Sequence, residues 1–305
     1  MRRLGVIGTF VWDTIHHPGQ AGRSPLEQWG GVAYSLSAFS AACPPGWCIQ
    51  PIVRIGADLA DQAERLVSSL PNIRGTEALR VVPQPNNRVE LRYFDDAERT
   101  EQLSGGIAPW SAPDLDPLLA GVDALFINYI SGFELDLTTA ERVRRMVQVP
   151  IYADLHSLCL GPPRDGPRQP RPLARADRWV RTADYLQVNE AELELVGGME
   201  AVRQAARRDL TLLITRGPAG ASFLCTGSSE NEPSGGSLEP VHGVVEGDPT
   251  GCGDVWGAVA FCGILEGLPI EVAVERANVA AAAKLGHPRM DGLAEAIELA
   301  LTGNP

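Results

Sequence analysis

The chain has 305 residues, 44% hydrophobic and 21% charged, with a formal net charge of −12 at pH 7. That length suits one large α/β domain with a well-buried core, and the acidic balance argues against a general nucleic-acid binder, which would present a basic face to phosphates. No run of about 18 apolar residues is available to span a membrane, the start MRRLGVIGTF is too short in apolar character for a secretory signal, and the six cysteines form no C-x-x-C pair. The expectation is a cytoplasmic protein with reduced thiols and no membrane or nucleic-acid partner.

Leu4–Gly8 is a short apolar run closed by glycine, a buried strand that leads to Asp13. Residues 14–29 read as polar and irregular up to Gly30-Gly31, and VAYSLSAFSAA follows as a small-residue helix. Pro51–Ile55 is a second strand. The stretch ADLADQAERLVSSL is an amphipathic helix, with Leu59, Ala63, Leu66, Val67 and Leu70 on one face. Between 79 and 103 the period changes. Val89, Leu91 and Tyr93 alternate with Arg88, Glu90 and Arg92, which predicts a half-exposed strand in a small sheet off the main body.

From residue 121 the strand–helix rhythm resumes. VDALFINYI, VPIYADL, ADYLQVN and LTLLITRG are strands, and TTAERVRRMVQ and EAELELV are helices. Two segments interrupt it: the proline- and arginine-rich 161–176, read as a solvated loop or else as a cationic rim for an acidic acceptor, and the polar loop 227–239. Two helices close the chain, one from Asp254 and one from Pro269 in a first-turn position to Gly286. This alternation predicts a three-layer α/β domain over 1–305: a mostly parallel sheet with helices on both faces.

In such sheets ligands bind beyond the carboxyl ends of the strands. Asp13, Asp154, Asn189, the Thr215–Gly217 turn and the stretch GDPTGCGD, 247–254, all fall at that edge. Glycines at 251 and 253 before a helix let backbone N–H groups converge on one point, where the helix dipole adds to their attraction for an anion. Asp254 in the first turn can then accept a proton from a hydroxyl, an arrangement apt for phosphoryl transfer. The plain alternative is a helix cap. The only lysine, Lys284, does not follow a glycine loop, which excludes a P-loop. The five histidines have no H-E-x-x-H spacing, which speaks against structural zinc.

GDPTGCGD resembles the D-[TP]-T-G-A-G-D signature of the ribokinase-like (PfkB) carbohydrate kinase family, with Cys252 where alanine is usual. WGGVAYSLSA resembles its N-terminal Gly-Gly motif, Asn189–Glu192 its N-x-x-E motif, and Thr215–Gly220 its T-x-G-x-x-G nucleotide turn, all in order. The resemblance implies a ribokinase-like fold with a small β lid from segments of about 14–29 and 79–103. The lid closes over substrate and can pair two chains in a homodimer. It implies transfer of the γ-phosphoryl group of ATP, with Mg²⁺ and a monovalent cation as further cofactors, to a hydroxyl of a small sugar-like acceptor. Asp254 would be the base, with Gly251, Cys252 and Gly253 as anion hole. Asn189 and Glu192 would hold the Mg²⁺–phosphate assembly, Glu192 through water. Thr215, Gly217 and Gly220 would lie against the nucleotide and Asn278 near the adenine. Asp13, Gly30, Gly31 and Ser35 would line the acceptor site.

Two departures fall on the acceptor side: Ser35 replaces an asparagine, and Asp154-Leu155-His156-Ser157 replaces D-x-N-x-R. The alternatives are a nucleoside kinase of the same fold and a sugar- or nucleotide-binding regulator that has lost catalysis. Residue by residue, Asn189 also reads as a helix cap completed by Glu192, and Gly217 and Gly220 as a plain turn. Cys252 reads as a small tolerated side chain, Trp256 as packing, and His156 and His287 as surface or edge residues.

Overall fold

The β-branched and aromatic runs read as strands do form strands, and most line up in one sheet. The computed structural model describes residues 1–303 except 18–23, 95–98, 164–165, 208, 228–233 and 241–246. The strands are β1 (Arg2–Ile7), β2 (Phe10–His16), β3 (Leu26–Gly31), β4 (Trp47–Gly56), β5 (Leu79–Val82), β6 (Asn87–Tyr93) and β7 (Arg99–Ser104). They continue as β8 (Ala124–Asn128), β9 (Ile151–Asp154), β10 (Tyr185–Asn189), β11 (Thr211–Thr215), β12 (Ala221–Cys225) and β13 (Ser234–Leu238). A nine-stranded sheet runs β13-β12-β11-β10-β9-β8-β1-β4-β5. It is parallel from β11 to β5 and antiparallel at the β12–β13 edge.

The central strands are buried on both faces, as β8 shows with five buried residues in a row. One face packs on the helices Val32–Ala42, Cys252–Glu266, Ile270–Gly286 and Leu293–Thr302. The other packs on Ala112–Leu119, Leu137–Met146, Ala176–Val180 and Gly198–Ala205. The helix Cys252–Glu266 is apolar around most of its circumference and buried from Val255 to Gly263. No helix among the described residues is long and apolar enough to cross a membrane.

A second sheet, β3-β2-β6-β7, stands apart. Its Val11, Ile15, Val89, Leu91, Tyr93 and Leu103 form a cluster closed by Ile130, which accounts for the alternation in β6.

Several boundaries differ from the sequence reading. The 14–29 segment is not irregular where it is described: the end of β2 and most of β3 lie there, paired antiparallel, and 18–23 fall outside the described residues. The pattern misled because the inward positions Asp13 and Gln28 are polar, while Trp12 and Trp29 stack edge to face at 5.2 Å. Residues 79–82 are not in the second sheet but pair with β4 at the edge of the main one. The 227–239 loop contains β13, whose Ser-Gly-Gly-Ser-Leu carries no strand pattern of its own. It pairs through its backbone, and its glycines pack against Phe223 where a Cβ would lie within 3.0 Å. Three helices close the chain rather than two: the first begins at Cys252 rather than Asp254, and Pro269 is an N-cap rather than a first-turn residue.

Candidate active site

Strands β8, β9, β10 and β11 all end on a polar residue: Asn128, Asp154, Asn189 and Thr215. The register sets Asn128 beside Asp154, and Asn189 beside Thr215. Into this edge comes the 247–254 turn. Asp248 Oδ1 accepts from the Thr250 amide at 2.9 Å. Gly251, at φ 81°, caps the helix. A Cβ there would stand 2.5 Å from the Tyr34 ring, so glycine is required both by conformation and by space. The Cys252 amide donates to Pro249 O at 3.1 Å and is therefore not free for an anion, contrary to its expected place in the anion hole. The amides of Gly251, Gly253 and Asp254 have no acceptor among the described residues and are the orphan donors of a helix start.

Asp254 Oδ1 accepts from Asn128 Nδ2 at 2.7 Å, and Asn128 also donates to Ser35 Oγ at 3.1 Å. Burial pushes the Asp254 carboxyl above its ordinary value, while the Asn128 hydrogen bond and the charges of His156, Arg99 and Lys284 pull it partly back. Gln187 fixes the turn from β10: Nε2 donates to Gly253 O at 3.1 Å, and Oε1 accepts from Tyr152 OH at 2.7 Å. The sequence reading missed Asn128 and Gln187. The signal for Asn128 was a polar residue ending an otherwise apolar strand.

Across from the turn lies Asp13, 3% exposed on β2, with Gly30 so close that a Cβ would stand 1.8 Å from Asp13 Oδ2. Burial raises its carboxyl well above the usual range, and Arg99 of β7 opposes that. Arg99 donates to Tyr93 OH at 2.7 Å, and Tyr93 OH lies 2.8 Å from Thr250 Oγ1. The second sheet thus touches the turn directly, as a closed lid does. Arg99 was not expected from the sequence. Gly31, at φ 60°, caps the helix that carries Ser35.

Asn189 and Glu192 form a full capping box. Glu192 Oε2 accepts from the Asn189 amide, and Oε1 from Asn189 Nδ2, each at 2.8 Å, while His156 Nδ1 lies 2.9 Å from Oε1. His156 is therefore no free surface residue. Burial alone would lower it, but the bond to Glu192 and the charges of Glu192 and Asp154 raise it to about 9. Burial pushes Glu192 up, yet the His156 contacts and the Asn189 amide outweigh it and leave Glu192 below its ordinary value. Asp154 is raised well above its ordinary value by burial, against the charge of His156.

Both Glu192 oxygens are thus occupied, which does not suit direct metal ligation. Among the described residues no group of three or more His, Cys, Asp or Glu is placed to hold an ion.

The nucleotide-side residues are more scattered. Thr215 ends β11, and Gly217–Ala219 make one turn of 3₁₀ helix. Gly220, at φ 81°, lies where a Cβ would stand 2.1 Å from Leu238 O. None of these hydrogen-bonds the Asp254 turn. Asn278 is buried, its amide bonded to Trp256 Nε1 at 2.8 Å and Glu239 O at 3.1 Å. Trp256 packs as expected. The 161–176 segment is not a solvated loop throughout: Arg168 is buried and donates to Gly161 O, Ser131 O, Ser157 O and, at 3.0 Å, to Glu101 of the lid. Residues 164–165 lie outside the described residues.

A mostly parallel sheet with a smaller antiparallel sheet, a glycine turn at a helix start and a first-turn aspartate make up a ribokinase-like fold. Residues 164–294 match the family model described as pfkB family carbohydrate kinase. The fold matches a nucleoside kinase from Burkholderia thailandensis in complex with inosine (19% identity, 99% of this chain and 98% of that one, TM-score 0.74). It also matches ribokinase from Thermotoga maritima (18%, 99% and 100%, 0.71) and ribokinase from Cryptococcus neoformans var. grubii serotype A in complex with ADP (19%, 100% and 100%, 0.70). Among curated proteins none matches the sequence. The resemblance to ribokinase-like (PfkB) kinases is thereby shown, by the family model over 164–294 and by the fold over the whole chain.

Proposed function

We propose that the chain is an ATP-dependent phosphotransferase acting on a hydroxyl of a small sugar or nucleoside-type acceptor. The observation that carries this reading is Asp254, held by Asn128 at the mouth of a turn whose Gly251, Gly253 and Asp254 amides have no acceptor among the described residues. The acceptor oxygen attacks the γ-phosphorus, the bond to the β-phosphate oxygen breaks, ADP leaves, and the hydroxyl proton passes to Asp254. The free amides stabilise charge on the phosphoryl group in flight. Asp13 and Arg99 flank the acceptor, with Gly30 and Gly31 giving it room and Ser35 joining it to the base. The lid excludes water, which would otherwise compete as acceptor.

Mg²⁺ entering with the donor phosphates would supply charge neutralisation, and Glu192 and Asn189 are the residues that would meet it, through water. Thr215, Gly217 and Gly220 form the nucleotide side, with Asn278 bracing the helix pair beneath the adenine. The same proposal includes a homodimer joined through the edges of the lid, which a solution mass measurement tests.

The ADP complex of the Cryptococcus ribokinase supports the choice of donor, and the inosine complex of the Burkholderia kinase keeps a nucleoside among the acceptors. An intact Asp254 and Gly-x-Gly turn favour an active enzyme over a retired regulator. A coupled ATP-consumption screen over sugars, sugar phosphates and nucleosides tests the reading. Asp254→Asn should cut turnover about a thousandfold, within the usual range for a general base, while ADP binding persists. Turnover of wild-type size in that variant, or no stimulation by any acceptor, defeats the proposal.

A further inference from the structure

Lys284 is the only lysine in the chain, and it is fully buried. Burying an ammonium is costly, and such groups are rarely found in a core without a partner that repays the loss of water. Here the described residues offer no carboxylate within ion-pair distance. Instead, Nζ donates to Asp248 O at 3.2 Å and lies 5.4 Å from the centre of the Tyr34 ring. The same carbonyl receives the Cys252 thiol, whose sulfur is also 3.6 Å from Ala281 O. Tyr34 is the ring on which Gly251 rests. Lys284 therefore meets the 247–254 turn through a carbonyl, that of Asp248, and not through its amides.

That placement has an electrostatic consequence. A turn whose amides converge on a phosphate directs carbonyl dipoles backwards, and a monovalent cation bound to those carbonyls would both hold the turn and add positive potential at the phosphate. An ammonium and a potassium ion carry the same charge, and both take carbonyl oxygens and aromatic faces as partners. We infer that Lys284 is a built-in monovalent cation: its ammonium braces the anion-binding turn from behind, so phosphate binding and transfer at this site need no added potassium-like ion. With Nζ already on Asp248 O, a separate monovalent cofactor is not needed at that carbonyl. The inference rests on the kinase reading, with Lys284 as a positioning residue that acts through the turn.

The test compares ADP binding by calorimetry, and turnover once an acceptor is known, in potassium, ammonium or N-methylglucamine chloride at constant ionic strength. Wild type should show the same ADP affinity and rate, to within about twofold, in all three salts. An increase of about tenfold on adding potassium, equivalent to one full step in affinity, overturns the inference. Lys284→Ala opens space beside Asp248 O. Its ADP affinity should fall about tenfold in N-methylglucamine and recover when potassium or methylammonium is added. A folded variant that binds ADP like wild type without a small cation, or that has lost binding and is rescued by none, also overturns it. If the variant does not fold, the wild-type salt comparison decides. Failure of the kinase reading itself looks different: wild type then binds neither ADP nor pyrophosphate in any salt.

Discussion

Removing the Asn128 amide tests how the proposed base, Asp254, is held. Asn128 is fully buried at the end of β8, and one of its two hydrogen bonds goes to the Asp254 carboxylate at 2.7 Å. Hydrogen bonds to a charged group contribute about 1.5–3 kcal/mol, and this one favours the ionised form of Asp254. Its loss in Asn128→Ala should raise the proton affinity of Asp254 by about tenfold or more, since 1.36 kcal/mol corresponds to one pH unit. Burial already holds this carboxyl above its ordinary value, so the variant moves it further the same way. The expected result is an acid limb of the kcat/KM profile displaced to higher pH. At pH values below the new limb the rate should drop by about tenfold, with recovery on the alkaline plateau, where Asp254 is again ionised. Asn128 Oδ1 has no partner among the described residues, so truncation strands no donor on that side. The assay is a kcat/KM profile from about pH 5 to 9, the range over which such limbs are read. An unmoved limb, or a loss uniform across pH, would refute the coupling of Asn128 to the base and assign it to acceptor binding instead.

Asp254→Asn should also stabilise the ligand-free protein near neutral pH. The folded carboxyl titrates above its unfolded value of 3.8, so its favourable contribution is complete below that value and is lost as pH rises through the folded one. Calorimetry should show a higher Tm for the variant at pH 7 and a difference that shrinks towards the acid end. Gly251→Ala forces a side chain into a left-handed conformation, costing about 1–2 kcal/mol before its clash with Tyr34 is counted. Urea unfolding should report at least that loss, and an unchanged midpoint would contradict the geometry. Cys252→Ala should leave kcat within about twofold, as a volume-reducing change at a half-buried site that donates no useful amide. Burial pushes that thiol up to about 11, so wild type should also resist alkylation at this residue near neutral pH. Arg168→Met strands the Glu101 carboxylate and three carbonyls, and breaking such a buried pair costs about 3–5 kcal/mol, readable as a lower urea midpoint.

What was legible in the sequence, and what was not, follows from where each residue's physics is local. The strands carrying Asn128, Asp154, Asn189 and Thr215 were legible because strands buried on both faces are continuous apolar runs, and Asp154, Asn189 and Thr215 marked the edge where ligands bind, whereas Asn128 was passed over inside VDALFINYI. The glycine turn was legible because Gly251 is required by its own backbone angle. The lid's first hairpin was not, because Asp13 and Gln28 point inward towards a polar site and so reverse the alternation that identifies a half-buried strand. Nor was β13, whose pairing is supplied by β12 rather than by its own residues. Arg168 misled for a related reason: arginine beside proline signals a solvated loop unless its acceptors are known, and those come from 131, 157 and 161, with Glu101 of the lid. Polar groups at the site take their roles from partners distant in sequence, as Asn128 does from Asp254, 126 positions away. The motif could therefore locate the proposed phosphate end of the site from eight consecutive residues. On the proposed kinase reading, the acceptor end draws on Asp13, Ser35, Arg99 and Asn128, on separate segments of the chain. On that reading, acceptor choice depends on how the second sheet brings Arg99 and Asp13 against residues mounted on the main sheet.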